Sequence, residues 1–306
     1  MTESMHMTEH NALRVSFIGL GTMGFPMAGH LSRQGHRVVA YNRNPEKAAL
    51  WQGSYEGEVA STPAEAAANA DIVMMCVGND DDVREVALGH QGALSSMRPN
   101  TILIDHTTTS ERVAMELADA CAQKAISFLD APVSGGQAGA ENGQLTIMVG
   151  GEEGSLEQAL PALNCYAKRV ERIGPCGTGQ LAKMVNQICI AGVVQGLSEA
   201  LYFGEKAGLD CEAVIRAISQ GAAQSWQMEN RYKTMLSGDF NFGFAVDWMR
   251  KDLGITLDAA RAIDAPLPLT TLVDGFYGEV QAMGGGRWDT SSLIARLRDK
   301  DNSSLS

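Results

Sequence analysis

The chain has 306 residues, 45% of them hydrophobic and 20% charged, which is enough to bury a large core and to form two domains. Its formal net charge of −12 argues against a nucleic-acid or anionic-membrane surface, because either partner requires a basic patch. A local basic pocket for a small anion is still compatible with this charge. The composition is that of an ordinary globular protein.

The cysteines and the N-terminal segment bear on the cellular compartment. The six cysteines include no C-x-x-C pair, so the sequence suggests neither a zinc site nor a disulfide framework, and buried thiols are expected. Residues 1–12 lack the basic start and the apolar core of a signal peptide, and no apolar run approaches the roughly 20 residues that cross a bilayer. We therefore expect a cytoplasmic protein that binds no metal.

A glycine-rich turn organises the first half of the chain. A short apolar strand leads into G-x-G-x-x-G at Gly19, Gly21 and Gly24, and an amphipathic helix follows. In a dinucleotide site the first glycine makes the tight turn, the second lets the pyrophosphate approach, and the third lets the helix lie close on the sheet. Such a motif alone is weak, but a second strand over 37–41 completes a βαβ unit. The sequence thus predicts a Rossmann domain with a doubly wound sheet.

The residues after the second strand address the choice of cofactor. NAD-selective proteins usually carry an acidic residue here, whereas this chain has Asn42 and Arg43. The planar guanidinium of Arg43 suits a phosphate, so the sequence favours the 2′-phosphate of NADP over NAD. The alternative is a solvated loop arginine, with Asn44 and Pro45 merely starting a helix.

Further buried strands are predicted over 71–77, 101–105 and 126–130, and polar residues follow each of them. Ligands of open α/β sheets bind at these carboxyl ends. Three acidic residues at 80–82 would be unfavourable beside a cofactor phosphate, so we expect them to cap the next helix.

The hydroxyl-rich segment after strand 101–105 has two interpretations. Its threonines could hold a ribose or a substrate, but Thr109 or Ser110 is equally suited to cap a helix that begins near Glu111. His106 could be an acid or a base, yet the sequence shows no partner for it. We expect His106 to be structural.

A second glycine-rich stretch lies at 131–140. Ser134, Gly135 and Gly136 can turn successive N–H groups towards one point, with the Ser134 hydroxyl as an added donor. Such a receptor fits a small carboxylate. A plain glycine turn between strands explains the same residues.

The composition shifts after the glycine-rich segment 174–179. A helical pattern then runs from 180 to 207, well beyond the usual helix of about 11 to 12 residues, and predicts a spine that links two domains. The later periodicities are also helical, over 212–219, 225–236, 246–262, 269–283 and 291–298.

The predicted fold class is therefore α/β, with an N-terminal Rossmann domain followed by an all-helical C-terminal domain. We place the NADP-binding domain at 13–176 and the helical substrate and oligomerisation domain at 177–298, its linking helix at about 178–207. Residues 1–12 and 299–306 are predicted to be flexible tails.

Three polar residues share one face of the long helix. Lys183, Asn186 and Gln187 stand at i, i+3 and i+4. A lysine here can exchange a proton with a substrate hydroxyl while a hydride moves to the nicotinamide, and partial burial would lower its pKa from about 10.4. Without other context, a surface lysine is the simpler interpretation.

Four motifs in order resemble the β-hydroxyacid dehydrogenases, the group of 3-hydroxyisobutyrate dehydrogenase, tartronate semialdehyde reductase (2-hydroxy-3-oxopropionate reductase) and the glyoxylate and succinic semialdehyde reductases. These motifs are GLGTMGFPMA at 19–28, DAPVSGG at 130–136, GPCGTGQLAKMVN at 174–186 and KDLGI at 251–255. The resemblance covers nearly everything from Val15 to Arg296.

The resemblance implies roles for residues that match the motifs. Lys183 is similar to the family's catalytic lysine and Asn186 to its substrate-positioning partner. The resemblance also implies that Ser134, Gly135 and Gly136 bind the substrate carboxylate. We add Gln187, which shares the helix face of Lys183 and Asn186, and Phe244 as predicted substrate residues. The cofactor residues that we predict are Gly19, Leu20, Gly21, Thr22, Met23, Gly24, Asn42, Arg43, Val77, Thr108 and Lys251. Of these, the resemblance places Thr108 at the nicotinamide end and Lys251 reaching back to it.

The chain departs from the family pattern in two places. Members often have Leu-Pro after the central strand, where this chain has Val77 and Gly78, and proline commonly stands where this chain has Phe242. We expect Phe240 and Phe244 to wall the substrate pocket.

The sequence as a whole predicts an oxidoreductase. We expect an NADP-preferring enzyme that interconverts a short β-hydroxyacid and its semialdehyde, or reduces glyoxylate, with Lys183 as general acid and base, in a homodimer or homotetramer. One alternative is an NADPH-dependent imine reductase, which typically lacks the lysine at position 183. The other is a non-catalytic cofactor-binding scaffold.

Overall fold

A computed structural model describes residues 12–304, and the side chains of residues 12–299. The chain divides into two compact units, Met1–Ala182 and Lys183–Ser306. Strands and helices alternate in the first unit, and the second is helical. The predicted fold class is confirmed, whereas the predicted domain bounds of 13–176 and 177–298 stay predictions.

The described strands of the first unit form one mainly parallel sheet. They are β1 Arg14–Ile18, β2 Arg37–Tyr41, β3 Glu58–Val59, β4 Ile72–Met75, β5 Ile102–Asp105, β6 Ser127–Asp130, β7 Val133–Ser134, β8 Leu145–Gly151 and β9 Ala167–Gly174. Their order is β3-β2-β1-β4-β5-β6-β8-β7, with β9 paired to β8. The strands from β3 to β6 pair in parallel, and β8 runs antiparallel to β6 and β7. The strand order reverses between β1 and β4, the place where doubly wound sheets bind dinucleotides.

Helices cover both faces of this sheet. They are α1 Gly24–Arg33, α2 Pro45–Ser54, α3 Pro63–Ala67, α4 Asp80–Leu88, α5 Glu111–Ala122, α6 Gly136–Glu141 and α7 Glu153–Leu163. Neighbouring residues of β1 lie in different hydrophobic cores. Phe17 packs in the core that contains Met27, and Ile18 packs in the core that contains Val73. Burial on both faces explains why the central strands read as continuous apolar runs.

The remaining helices are α8 Thr178–Lys206, α9 Cys211–Ile218, α10 Trp226–Ser237, α11 Val246–Ala262, α12 Pro268–Ala282 and α13 Leu293–Ser304. By length and composition α8 could cross a membrane, which differs from the expectation that no apolar run is long enough. Core helices pass the same test. In α8, the side chains of Ala191, Val194, Leu197 and Leu201 pack in the two cores of the second unit, as those of a core helix do.

The two ends of the chain were predicted to be flexible tails. Residues 1–11 and 305–306 lie outside the described residues. Asp299 to Ser304 continue α13, where the sequence predicted a tail.

The strand β9 is an edge of the sheet. It pairs with β8 on one side and is mostly exposed. Its exposed positions include Lys168, Arg169, Glu171 and Arg172, so charged side chains line the strand.

Candidate functional site

The turn after β1 is shaped by its first glycine. Gly19 has a φ of +99°, and a Cβ there would lie 2.3 Å from the carbonyl oxygen of Cys76. Its N–H donates to the carbonyl of Tyr41 at 2.8 Å. Only glycine combines this backbone conformation with so close an approach between β1 and the end of β4.

The other two glycines of the motif differ from each other. A Cβ on Gly24 would lie 1.9 Å from the carbonyl oxygen of Gly19, so α1 begins pressed against the turn. A Cβ on Gly21 would have no heavy atom of the described residues within 4 Å. The open side at Gly21 leaves room for a ligand, as the motif requires of its second glycine.

The first turn of α1 suits an anion. Its N-cap Met23 makes no side-chain capping bond to a described residue, and the turn contains no acidic side chain. N–H groups at a helix start carry partial positive charge and attract phosphate. The backbone from Leu20 through Thr22 to Gly24 therefore fits the pyrophosphate of a dinucleotide.

The segment after β2 supports this turn. Asn42 Oδ1 accepts the N–H of Leu20 at 2.9 Å, and Asn42 Nδ2 donates to the carbonyl of Asn44 at 3.0 Å. The side chain of Arg43 is 85% exposed, and its Nη1 lies 3.0 Å from Oδ1 of Asp82. A ligand phosphate would share the Arg43 guanidinium with this carboxylate.

The acidic residues at 80–82 form the first turn of α4, where the helix dipole favours them. The capping prediction needs one correction, because the N-cap is Asn79, whose Oδ1 accepts the N–H of Asp82 at 2.9 Å. Asp80 binds instead the N–H of Ser110 at 3.0 Å and its hydroxyl at 2.6 Å. Ser110 is the N-cap of α5, so of the two residues considered for this cap Ser110 holds the position.

A buried polar network follows β5 and β6. Val77 donates its N–H to Thr107 Oγ1 at 3.0 Å. Gln180 Nε2 donates to the carbonyl of Thr107 at 2.7 Å, and its Oε1 accepts the N–H of Thr109 at 3.1 Å. Thr108, predicted to contact the nicotinamide end, is half-buried between these two residues. Sequence analysis did not single out Gln180, although one of the four motifs contains it.

The carboxylate of Asp130, at the end of β6, lies at the start of α8. It accepts the N–H of Gly177 at 2.7 Å and that of Gln180 at 2.9 Å. Burial raises the pKa of Asp130, and these backbone hydrogen bonds oppose that rise. Asp130 is a second residue that sequence analysis did not assign to the site.

The predicted carboxylate receptor lies at 134–136. Gly135 and Gly136 have φ values of +131° and +61°, and Gly135 is the N-cap of the short helix α6. Ser134 ends β7 and is half-buried, while both glycines are exposed. The stretch is thus a strand end and a helix start rather than a plain turn.

His106 is structural, as predicted. It is fully buried, its Nδ1 lies 2.6 Å from the carbonyl of Ala131, and its Nε2 lies 2.8 Å from the hydroxyl of Tyr166. Burial lowers the pKa of His106 to about 4.

In the second unit, Lys183 belongs to a buried charged cluster. Lys183, Gln187 and Asp252 are 8%, 2% and 2% exposed. Gln187 Nε2 donates to Asp252 Oδ2 at 2.7 Å, and Lys251 Nζ lies 3.2 Å from Asp252 Oδ1. Asn186 Nδ2 donates to Gln187 Oε1 at 2.8 Å. The structure thus brings four predicted residues together around Asp252.

The surroundings of Lys183 shift its pKa in opposite directions. Burial lowers the pKa of Lys183, the Asp252 carboxylate raises it, and the Lys251 ammonium lowers it again. A lysine with a lowered pKa exchanges protons more readily near neutral pH. The simpler interpretation of Lys183 as a surface lysine is wrong. Asp252 was missed as a site residue, although it stands inside the KDLGI motif.

The two phenylalanines predicted to wall a pocket have different surroundings. Phe240 is 6% exposed and belongs to a core cluster of the second unit, its ring 5.9 Å from that of Trp288. The expectation that Phe240 walls the substrate pocket stays a prediction, and its ring packs among apolar side chains. Phe244 is half-buried, and its N–H donates to Asp289 Oδ2 at 2.9 Å.

No group of three or more His, Cys, Asp or Glu side chains that could hold a metal occurs among the described residues.

Family models match both parts of the chain. Residues 14–174 match the NAD binding domain of 6-phosphogluconate dehydrogenase, and residues 177–297 match the NAD-binding of NADP-dependent 3-hydroxyisobutyrate dehydrogenase.

Relatives align with nearly the whole chain. An uncharacterized oxidoreductase of Shewanella frigidimarina is 61% identical, over 93% of this chain and 98% of its own. The 2-hydroxy-3-oxopropionate reductase of Escherichia coli K12 is 34% identical, over 96% of this chain and 100% of its own.

Solved structures agree with these matches. Mycobacterium tuberculosis 3-hydroxyisobutyrate dehydrogenase with L-serine has a TM-score of 0.84 and 31% identity, covering 94% of this chain and 100% of that one. Psf3 in complex with NADP+ and 2-OPP has a TM-score of 0.85 and 25% identity, covering 92% and 99%.

Proposed function

Since the chain belongs to the β-hydroxyacid dehydrogenase family and is an NAD(P)-dependent oxidoreductase of CH–OH groups, we propose that it interconverts a short β-hydroxyacid and its semialdehyde, or reduces glyoxylate. We propose further that it prefers NADP and that Lys183 is the general acid and base. The observation that carries the proposal is the burial of Lys183 beside Asp252, with a lowered pKa. A surface lysine would keep its ordinary pKa and exchange protons poorly at neutral pH.

In this proposal the chain binds the substrate by its carboxylate. The Ser134 hydroxyl and the N–H groups of Gly135 and Gly136 are the donors for this group. When bound, NADPH supplies the hydride that reduces the carbonyl carbon. The ammonium of Lys183 gives its proton to the carbonyl oxygen, which leaves an alcohol and a neutral amine, and solvent reprotonates the amine.

The role of Lys183 is tested by Lys183→Ala. We expect NADPH oxidation to slow by at least about a hundredfold, since general acid catalysis contributes that much, while NADPH still binds. The assay uses glyoxylate, methylmalonate semialdehyde, tartronate semialdehyde and succinic semialdehyde. Lys206→Ala, an exposed lysine on the same helix, is the matched control and should leave the rate unchanged.

Near-normal turnover of Lys183→Ala would overturn the assignment. If the wild-type chain turned over no acid with either cofactor, the imine reductase and the scaffold would become the better explanations.

The preference for NADP is a separate part of the proposal. Support comes from the exposed guanidinium of Arg43 after β2, where NAD-selective proteins place an acid. We expect Arg43→Ala to lower the NADPH-to-NADH ratio of kcat/KM by roughly tenfold or more, the value of a charge-assisted bond to phosphate. Arg112→Ala, an exposed arginine on α5, is the control. An unchanged ratio in Arg43→Ala would make Arg43 a surface residue.

We also propose a homodimer or homotetramer in the cytoplasm. The support is the set of exposed apolar side chains on α8, of which Val185 is 61% and Phe203 is 70% exposed. Light scattering after size-exclusion chromatography measures the number of subunits, and a monomer would contradict the proposal.

A further inference from the structure

Gln180 is a fully buried polar residue on the first turn of α8, with 0% exposure. Its carboxamide makes two hydrogen bonds to one backbone segment. Nε2 donates to the carbonyl of Thr107 at 2.7 Å, and Oε1 accepts the N–H of Thr109 at 3.1 Å. The side chain thus binds both neighbours of Thr108.

The two bonds need a side chain with a donor and an acceptor on one planar group. The amides of Asn and Gln carry a donor and an acceptor on one planar group, and Gln has the longer reach. Thr107 and Thr109 are buried, whereas Thr108 between them is half-buried. The carboxamide therefore holds the backbone on both sides of Thr108.

The backbone of Gln180 is itself held in place. Its N–H donates to Asp130 Oδ2 at 2.9 Å, and the N–H of Gly177 donates to Asp130 Oδ1 at 2.7 Å. A Cβ on Gly179 would lie 2.5 Å from the carbonyl oxygen of Asp130, and one on Gly150 would lie 2.4 Å from Asp130 Oδ1. Because the carboxylate is packed this closely, the start of α8 has little freedom to shift relative to β6.

We propose that Gln180 is a positioning residue for hydride transfer, which fixes the backbone at Thr108 and thereby the nicotinamide end of the cofactor. The inference rests on the proposed function and on the prediction, implied by the family resemblance, that Thr108 contacts that end. The turn around Gly19 and the guanidinium of Arg43 bind other parts of the cofactor, so loss of the carboxamide should affect the geometry of transfer more than the affinity.

The first experiment compares Gln180→Met with Gln195→Met. Gln195 lies on the same helix, is 4% exposed, and donates to Glu199 Oε1 at 2.6 Å. Both changes replace a buried amide by an apolar side chain of similar length. We expect Gln180→Met to lower kcat by roughly 10- to 100-fold, since a displacement of about 1 Å can cost a hundredfold. Its NADPH dissociation constant should stay near the wild-type value, and Gln195→Met should keep the wild-type kcat.

The isotope effect with NADPH deuterated at the transferred position is the readout that a merely structural role would not move. It should rise in Gln180→Met, because hydride transfer becomes slower than product release, and it should not change in Gln195→Met. A folded Gln180→Met with wild-type kcat and isotope effect would overturn the inference, as would equal losses in both variants.

Gln180→Glu keeps the test decisive if Gln180→Met does not fold. A protonated carboxyl at this position can donate to the Thr107 carbonyl and accept from Thr109, whereas the ionised form has no proton to donate. Asp130 and Asp105 bind neighbouring N–H groups, and their charges add to burial in favouring the protonated form. We expect kcat to approach the wild-type value at acid pH and to fall as the pH rises. A parallel pH profile for wild type and Gln180→Glu would contradict the inference.

Failure of the proposed function is distinguishable from failure of this inference. If Lys183→Ala kept its turnover or the wild type had none, the chemistry assigned to the chain would be wrong. NADPH fluorescence would then test the positioning alone. Bound NADPH should show less nicotinamide fluorescence enhancement in Gln180→Met than in Gln195→Met, and equal enhancement would overturn the inference.

Discussion

The turn around Gly19 and the cluster around Lys183 are built by different means. The turn consists of backbone, and its sequence requirement is the absence of side chains at Gly19 and Gly24. The cluster consists of side chains, and a carboxylate from α11 is its centre. The first arrangement suits a phosphate group, which many cofactors share, and the second shifts the pKa of one amine.

The difference shows how each region tolerates change. A backbone site loses function when atoms are added, because any Cβ meets the neighbouring chain or the ligand. A buried charged cluster loses function when a charge is removed, because the pKa values of the remaining groups depend on it. Variants that add atoms to the turn or remove charge from the cluster separate these two modes.

The largest effect is expected for Gly24→Ala. Its Cβ would lie 1.9 Å from the carbonyl oxygen of Gly19, so α1 must move, at a cost of about 3 kcal/mol or more in the free energy of unfolding. Urea unfolding measures the loss of stability, and NADPH titration measures the accompanying loss of cofactor affinity. Gly21→Ala is the matched control for stability, because its Cβ has no described atom within 4 Å. It should unfold like the wild type and bind NADPH more weakly. If Gly21→Ala bound NADPH normally, the pyrophosphate would not approach this turn.

A smaller effect, on the pH dependence of stability, is expected from His106. His106 is buried like Lys183, but its hydrogen-bond partners, Ala131 and Tyr166, are uncharged. Burial lowers the pKa of His106 to about 4 in the folded chain, whereas the ordinary pKa of histidine is 6.5. As the pH falls below 6.5, the unfolded chain therefore takes up this proton before the folded chain does. The folded state therefore loses about 3 kcal/mol as the pH falls from 6.5 to about 4.

Urea unfolding at pH 4.5 and 7 measures this loss. His106→Gln should lose most of the pH dependence, and His90→Gln, at an exposed position, should keep it. Equal pH dependence in the wild type and His106→Gln would show that other groups cause the acid lability.

The smallest effect is expected for Asp252→Asn. The Asp252 carboxylate raises the pKa of Lys183, so its removal lowers that pKa further, while Asn still accepts from Gln187. The limb of the pH–rate profile that reports loss of the Lys183 proton should move to lower pH. Asp258→Asn, an exposed acid on the same helix, should leave the limb in place. A limb that moved upward would contradict the assigned sign.

Local sequence patterns predicted the helices and strands well, but they did not predict which distant residues contact each other. The strand predicted over 37–41 and the helix over 246–262 have the observed bounds, Arg37–Tyr41 and Val246–Ala262, because turn residues and apolar periodicity delimit them. The strand β3 was missed, since the two residues Glu58–Val59 have no pattern of their own and form a strand only by pairing with β2.

The site divides in the same way. The glycine motif is local, so sequence reasoning located it at once. Asp130 and Asp252 were missed because their hydrogen-bond partners lie far away in the chain, 47 positions for Gly177 and 65 for Gln187. No spacing rule for helices or strands reaches that far.

The edge strand β9 has a consequence for the behaviour of the protein at high concentration. An exposed strand presents unpaired N–H and C=O groups to which another chain can add a strand, and natural proteins limit such addition with charged side chains. The side chains of Lys168, Arg169, Glu171 and Arg172 make desolvation of this edge costly. The sheet can thus end in an eight-residue strand without becoming a template for aggregation.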